Sequence, residues 1–100
     1  MDQIAYKIIS ATELEQLRRD GAFHGSAVDL ADGYIHLSTK DQLPETLAKH
    51  FSGKTGLVIL AVDLSRLTAE VRWEPSRGGQ LFPHIYGPLP MDAVISTESA

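Results

Sequence analysis

The chain has 100 residues, which is enough for one domain (1–100) with a hydrophobic core. Its formal net charge of −4 disfavours a nucleic-acid partner, and the absence of cysteine excludes disulfides and thiolate chemistry. No segment is long and apolar enough for a membrane span or a secretion signal, so we expect a cytoplasmic protein without membrane contact.

The first third of the chain predicts a strand, a helix and a loop. Alternating apolar residues indicate a strand from Ile4 to Ile9. Thr12 and Glu15 fit a capping box, and Gly21 is the expected end of the helix that follows. Residues 20–33 are rich in Gly and Asp, and we expect them to form a long loop.

A second strand and a second helix follow. The alternation in Tyr34–Ser38 places Ile35 and Leu37 on one face, which we expect to be buried. The opposite face should line a cleft with its polar residues, Tyr34, His36 and Ser38. Thr39 and the four-residue apolar spacing over 43–51 predict a capped helix.

The remaining elements are mostly strands. The nearly continuous apolar run 57–63 is typical of a central strand, and 71–74 indicates another short one. The proline-rich stretch 82–90 should be a loop or an edge, and 93–97 a last strand. The sum predicts an α+β domain, mostly strands, with two helices.

His36 is the first candidate for chemistry. One interpretation is a solvent-facing strand whose histidine makes an ordinary hydrogen bond. The other is that His36 orients a ligand or exchanges a proton in a cleft, with Ser38 and Thr39 at a helix start that attracts anions. The strand alone leaves both interpretations open.

The segment 72–88 is the second candidate, because it carries reactive side chains on a backbone rich in Gly and Pro, as ligand-binding loops do. Arg72 and Glu74 share a strand face, where they form either a surface ion pair or part of a site. Arg72 or Arg77 suits a phosphate group of a small ligand.

Aromatic residues continue this segment. Phe82, His84 and Tyr86 share one side of an extended chain, and they suit a flat ring such as nicotinamide or adenine. The alternative is a hydrophobic lid on the core, with His84 bound to a carbonyl. The spacing of the histidines predicts no metal site.

Two segments resemble the signatures of the bacterial domain-of-unknown-function family 952. They are residues 25–39 (GSAVDLADGYIHLST) and 72–90 (RWEPSRGGQLFPHIYGPLP), and with their spacing the resemblance covers nearly the whole chain. It implies a small cytoplasmic protein with a fold similar to the ADP-ribosyltransferase fold. That fold is a compact, bent β structure, here of about six strands with two short helices, around a cleft for NAD.

The resemblance also implies roles. His36 and Glu74 would be catalytic: His36 would bind the ribose of NAD, and Glu74 would stabilise the oxocarbenium-like ribose as nicotinamide leaves. The binding residues would be Ser38, Thr39, Arg72, Arg77, Phe82, His84 and Tyr86.

Three functions stay open at this point. The first is an enzyme of the ADP-ribosyltransferase type that uses NAD as substrate. The second is a non-catalytic module that binds a nucleotide or another phosphorylated small molecule. The third is a partner-binding domain whose motif residues only hold the fold. The oligomeric state is also open.

Overall fold

A computed structural model describes residues 3–100, apart from the side chain of Arg77. Over these residues the chain forms eight short strands and three α-helices. The strands are β1 (Ile4–Ser10), β2 (Ala22–Phe23), β3 (Ile35–His36), β4 (Leu57–Asp63), β5 (Glu70–Pro75), β6 (Leu81–Tyr86), β7 (Leu89–Pro90) and β8 (Val94–Ser99). The helices are α1 (Ala11–Asp20), α2 (Ala27–Asp32) and α3 (Leu43–His50).

The strands form three antiparallel sheets with the orders β1-β4-β8, β2-β7 and β3-β6-β5. The α+β prediction is therefore confirmed, whereas the expected numbers of about six strands and two helices are too low. The apolar run 57–63 does form a central strand, β4. A backbone bridge between Tyr6 and Ser38 joins β1 to the segment after β3.

Helix α1 begins earlier than predicted. Its capping box joins Ser10 and Glu13, two residues before the pair expected from the sequence. Gly21 ends the helix in the left-handed conformation, as expected. Leu14 and Leu17 on its inner face are buried.

The prediction of a long loop over 20–33 is wrong, because this stretch contains β2 and α2. The Asp29 carboxylate accepts a hydrogen bond from the backbone N–H of Ser26 at the start of α2. Gly33 ends the helix with a φ of 88°, and its N–H donates to the carbonyl of Asp29. Gly and Asp therefore act here as helix-end residues, and composition alone does not separate helix ends from a loop.

The prediction that 82–90 is a loop or an edge is also wrong for its first half, since β6 is the middle strand of its sheet. Pro83 fits there because the neighbouring strand β3 ends at His36. The Pro83 carbonyl accepts from the N–H of Leu37 just beyond that end. A missing N–H at the end of a ladder disrupts less pairing than one in its middle.

One hydrophobic core unites the elements. Ile35 and Leu37 lie in it with 1% and 2% of their surface exposed, which confirms the predicted buried face of the second strand. Their largest fully buried neighbours include Ile9, Leu17, Leu60, Ile85 and Leu89. Within residues 3–100, no helix has the length and apolar character needed to cross a bilayer.

Candidate functional site

The predicted site residues gather on one face of the sheet β3-β6-β5. His36 is directly opposite His84 in the β3–β6 register, and His84 is opposite Arg72 in the β5–β6 register. Glu74 is opposite Phe82 in the same pairing. Because side chains alternate across a strand, these residues point to the same side, away from the core residues between them.

His36 is held between two carboxylates. Its Nδ1 lies 2.7 Å from Asp29 Oδ1, and its Nε2 lies 3.0 Å from Asp32 Oδ2. Asp29 is almost completely buried, whereas the Asp32 side chain is 46% exposed. An ionised carboxylate can only accept hydrogen bonds, so the His36 nitrogen that faces Asp29 carries the proton.

Asp29 joins several parts of the site. It forms an ion pair of 2.8 Å with the buried Nζ of Lys7, and it also accepts from the backbone N–H groups of Ser26 and His36. Burial raises the pKa of Asp29. The hydrogen bond from His36 and the charge of Lys7 outweigh that effect and hold its pKa well below the ordinary value. Asp29 is therefore ionised and fixes the His36 ring.

His84 forms a second pair, with Glu74. His84 Nδ1 lies 2.8 Å from Glu74 Oε1, and the Tyr86 hydroxyl donates to the same oxygen at 2.6 Å. The hydrogen bonds from Tyr86 and then from His84 lower the pKa of Glu74. The hydrogen bond to Glu74 in turn raises the pKa of Tyr86, because losing the phenolic proton would break it.

The rings of the two histidines pack against each other and against a tyrosine. The rings of His36 and His84 are 5.3 Å apart between centroids. Tyr34 stacks on His84 at 4.2 Å and contacts His36 at 4.7 Å. The segments 25–39 and 72–90 therefore meet in space at these two histidines.

A cavity of about 670 Å³ lies beside the pair of histidines. His36, Ser38, Phe82 and His84 are part of its wall. Other lining residues come from β1, α2 and the stretch at and beyond the end of α3, and they include Tyr6, Lys7, Ile8, Ala27, Val28, His50, Phe51 and Lys54. The cavity is therefore lined by both sequence segments and by parts of the chain that neither segment contains.

The other predicted site residues lie outside the wall. The Arg72 guanidinium is 4.5 Å from the centre of the Tyr86 ring and pairs with Glu70. The hydrogen bond to Glu70 raises the pKa of Arg72. Glu74 and Tyr86 likewise lie behind His84 and do not line the cavity. Arg77 was predicted to bind phosphate, and its side chain lies outside the described residues.

The two predicted site residues with hydroxyl groups, Ser38 and Thr39, lie in different environments. Ser38 lines the cavity, is 4% exposed, and bonds to the hydroxyl of Thr46 at 2.9 Å. Thr39 does not line the cavity. It exchanges reciprocal hydrogen bonds with Gln42 in the turn before α3. The residue at the N-cap of α3 is Gln42, so the prediction that Thr39 caps this helix is wrong.

Three residues of the site were not identified from the sequence. Asp29 and Asp32 hold His36, and Lys7 neutralises Asp29. Tyr34 was expected to line the cleft; it lies outside the cavity wall and stacks on His84. The signal for the two aspartates was their place in the segment 25–39, seven and four residues before His36. Lys7 offered no signal, because a lysine in an edge-like strand normally points to solvent.

The fold and the site define a small α+β domain in which two histidine–carboxylate pairs meet at one cavity. The chain belongs to the family described as "Protein of unknown function (DUF952)", whose model matches residues 8–97. No curated protein matches it.

Solved structures of protein CC0527 from Caulobacter crescentus are similar to this chain. Its X-ray structure matches with a TM-score of 0.92 and 48% identity, covering 96% of this chain and 84% of that one. Its solution NMR structure matches with a TM-score of 0.85 and 47% identity, covering 98% and 84%. These matches support the fold described above and carry no statement about activity.

Proposed function

We propose that the cavity binds a nucleotide of the NAD type and that the protein is an ADP-ribosyltransferase-like enzyme. One observation carries this proposal: His36 and His84, each held by a carboxylate, meet in the wall of a single cavity. The cavity volume of about 670 Å³ lies within the range typical of small-molecule sites.

The chemistry of the walls suits a ligand with flat rings and phosphates. Phe51 and Phe82 offer aromatic surfaces to a base, and the Lys54 ammonium lies 5.5 Å from the centre of the Phe51 ring. Lys54, and Arg77 as predicted from the sequence, are the proposed partners of phosphate. Arg72 is a weaker candidate, because its guanidinium is engaged with Tyr86 and Glu70.

The likeness to the ADP-ribosyltransferase fold is part of the proposal. Two features support it. The strands divide into separate antiparallel sheets, and the cavity is lined by residues of strands β1 and β6, which belong to two different sheets. NAD would lie across this division. His36 and Ser38 would contact the ribose next to nicotinamide.

In this proposal Glu74 acts through His84. Its carboxylate lies outside the cavity wall and accepts hydrogen bonds from both His84 and Tyr86. We therefore assign it the positioning of His84 in place of a direct contact with the ribose.

A second candidate is a non-catalytic module that binds a nucleotide or another phosphorylated small molecule. The position of Glu74 favours it, because the carboxylate expected to stabilise a developing cation lies behind His84. The binding site would be the same cavity in both cases.

Calorimetric titration with NAD, ADP-ribose and ATP tests the proposal, together with an assay of nicotinamide release. We expect NAD to bind and His36→Gln to weaken binding about tenfold, which corresponds to about 1.4 kcal/mol and to one lost charge-assisted hydrogen bond. His24→Gln is the control, since His24 is exposed and does not line this cavity. Absence of nucleotide binding would refute the enzyme and the nucleotide-binding form of the module, and binding without nicotinamide release would select the module.

A further inference from the structure

The two histidines of the site differ in the contacts of one ring nitrogen, Nε2. Both use Nδ1 to contact a carboxylate. The Nε2 of His36 lies against a second carboxylate, that of Asp32, at 3.0 Å. Among the described residues, no hydrogen-bond partner is found for the Nε2 of His84.

The state of His84 follows from its surroundings. Glu74 is ionised and accepts, so His84 donates from Nδ1, and in the neutral ring the lone pair is then on Nε2. The ring is 3% exposed, is stacked under Tyr34 and lines the cavity. It cannot turn away without losing the hydrogen bond to Glu74.

His36 differs because both of its ring nitrogens have a carboxylate beside them. Its Nδ1 is hydrogen-bonded to Asp29, and its Nε2 lies 3.0 Å from Asp32 Oδ2. The Asp32 carboxylate competes with a substrate for Nε2, so His84 is better placed than His36 to accept a proton.

We infer that His84 is the general base of this site and that Glu74 and Tyr86 are the residues that position it. The inference rests on the proposed function and adds to it a catalytic group in the wall of the cavity. The titratable groups next to His84 are Glu74 on β5, Tyr86 on β6, and Tyr34 and His36 at β3, with Arg72 opposite in the register.

In the proposed reaction, an oxygen nucleophile replaces nicotinamide at C1′ of the ribose. The bond between C1′ of the ribose and the nicotinamide nitrogen breaks, and its electron pair leaves with neutral nicotinamide. An oxygen of water or of an acceptor hydroxyl forms the new bond to C1′. The proton of that oxygen passes to Nε2 of His84, and the resulting imidazolium is stabilised by the Glu74 carboxylate.

Long-range ¹H–¹⁵N NMR of the histidine rings tests the inference without any activity. We expect Nδ1 to carry a proton in both rings of the free protein and Nε2 of His84 to carry none. Glu74→Gln keeps an oxygen acceptor and should preserve the Nδ1–H form, whereas Glu74→Ala should release it. A proton on Nε2 of His84 in the unmodified protein would overturn the assignment whatever the activity.

Kinetics provide the second test. With NAD and water as acceptor, His84→Gln should slow nicotinamide release at least about 100-fold, the lower end for loss of a general base. Its affinity for NAD should change less than about threefold, since a proton transfer occurs only during reaction. His24→Gln should match the unmodified protein.

The outcomes separate the two proposals. Release that His84→Gln does not slow would overturn the base assignment and leave NAD binding intact. Bound NAD without any release would overturn the catalytic role of His84 and keep the binding module. Failure to bind NAD would refute the proposed function, whereas the NMR result would still decide the state of His84.

Discussion

Asp29→Asn should destabilise the protein strongly, although Asp29 lies outside the cavity wall. The Lys7 and Asp29 side chains are only 7% and 1% exposed, so the variant leaves a buried ammonium without its partner. Breaking a buried pair in this way costs about 3–5 kcal/mol. Asn keeps an oxygen that can accept from the N–H of Ser26, so we expect a loss near 3 kcal/mol, the lower end of that range.

Urea unfolding followed by circular dichroism measures this loss. For a domain of this size, each kcal/mol corresponds to about 4–8 °C, so the midpoint of thermal unfolding should fall by roughly 12–24 °C. Lys49→Gln is the matched control, since the Lys49–Glu45 pair at 3.2 Å is more than half exposed on both sides. Lys49→Gln should lower the free energy of unfolding by about 0.5 kcal/mol or less.

A double variant identifies the cause. Adding Lys7→Met to Asp29→Asn removes the unpaired charge and should restore part of the lost stability. If Asp29→Asn costs less than about 1 kcal/mol, or if Lys7→Met lowers stability further in that background, a buried charge network does not hold His36.

Three further predictions concern the same network. Folding lowers the pKa of Asp29, so its contribution to the free energy of unfolding is fully present above the ordinary carboxyl pKa and is lost as pH falls below about 4. Urea midpoints measured against pH should show this loss of stability. In Asp29→Asn the midpoint should depend less on pH. Gly25→Ala would place a Cβ 2.9 Å from that of Asp29 at a φ of +124°, so thermal unfolding should show a loss of at least about 1 kcal/mol; an unchanged midpoint would contradict the tight contact. Tyr86→Phe removes the hydroxyl that bonds Glu74, and a ¹³C NMR titration should show the pKa of Glu74 rising towards its ordinary value. No change in that titration would mean that the hydroxyl is bound elsewhere.

The sequence predicted the polar face of the site because the face follows from alternation. Residues two apart on a strand share a side, so His36 with Ser38, and His84 with Phe82, could be grouped without knowing the sheet. The same argument grouped Arg72 with Glu74. Antiparallel pairing then combines the three strands into one surface.

The position of each side chain relative to the cavity, and its interaction partner, could not be predicted in the same way. Glu74 lies behind His84 because β5 is the edge strand and β6 the middle one, and sheet order is a property of the whole chain. Lys7 and Asp29 are 22 residues apart and meet only after folding. In the sequence, each of the two is indistinguishable from an ordinary charged residue exposed to solvent.

The direct pairing of His36 with His84 in the β3–β6 register has an evolutionary consequence. Backbone hydrogen bonds set the distance between the two rings, and the carboxylate for each ring is supplied from its own segment, 29–36 or 74–84. Core side chains can therefore diverge by volume-conserving exchanges without moving the histidines relative to each other. An insertion between the two segments would likewise lengthen the connection and leave each pair whole. Each histidine–carboxylate pair therefore depends on one short stretch, whereas the buried partner of Asp29, Lys7, and part of the cavity wall come from outside these stretches.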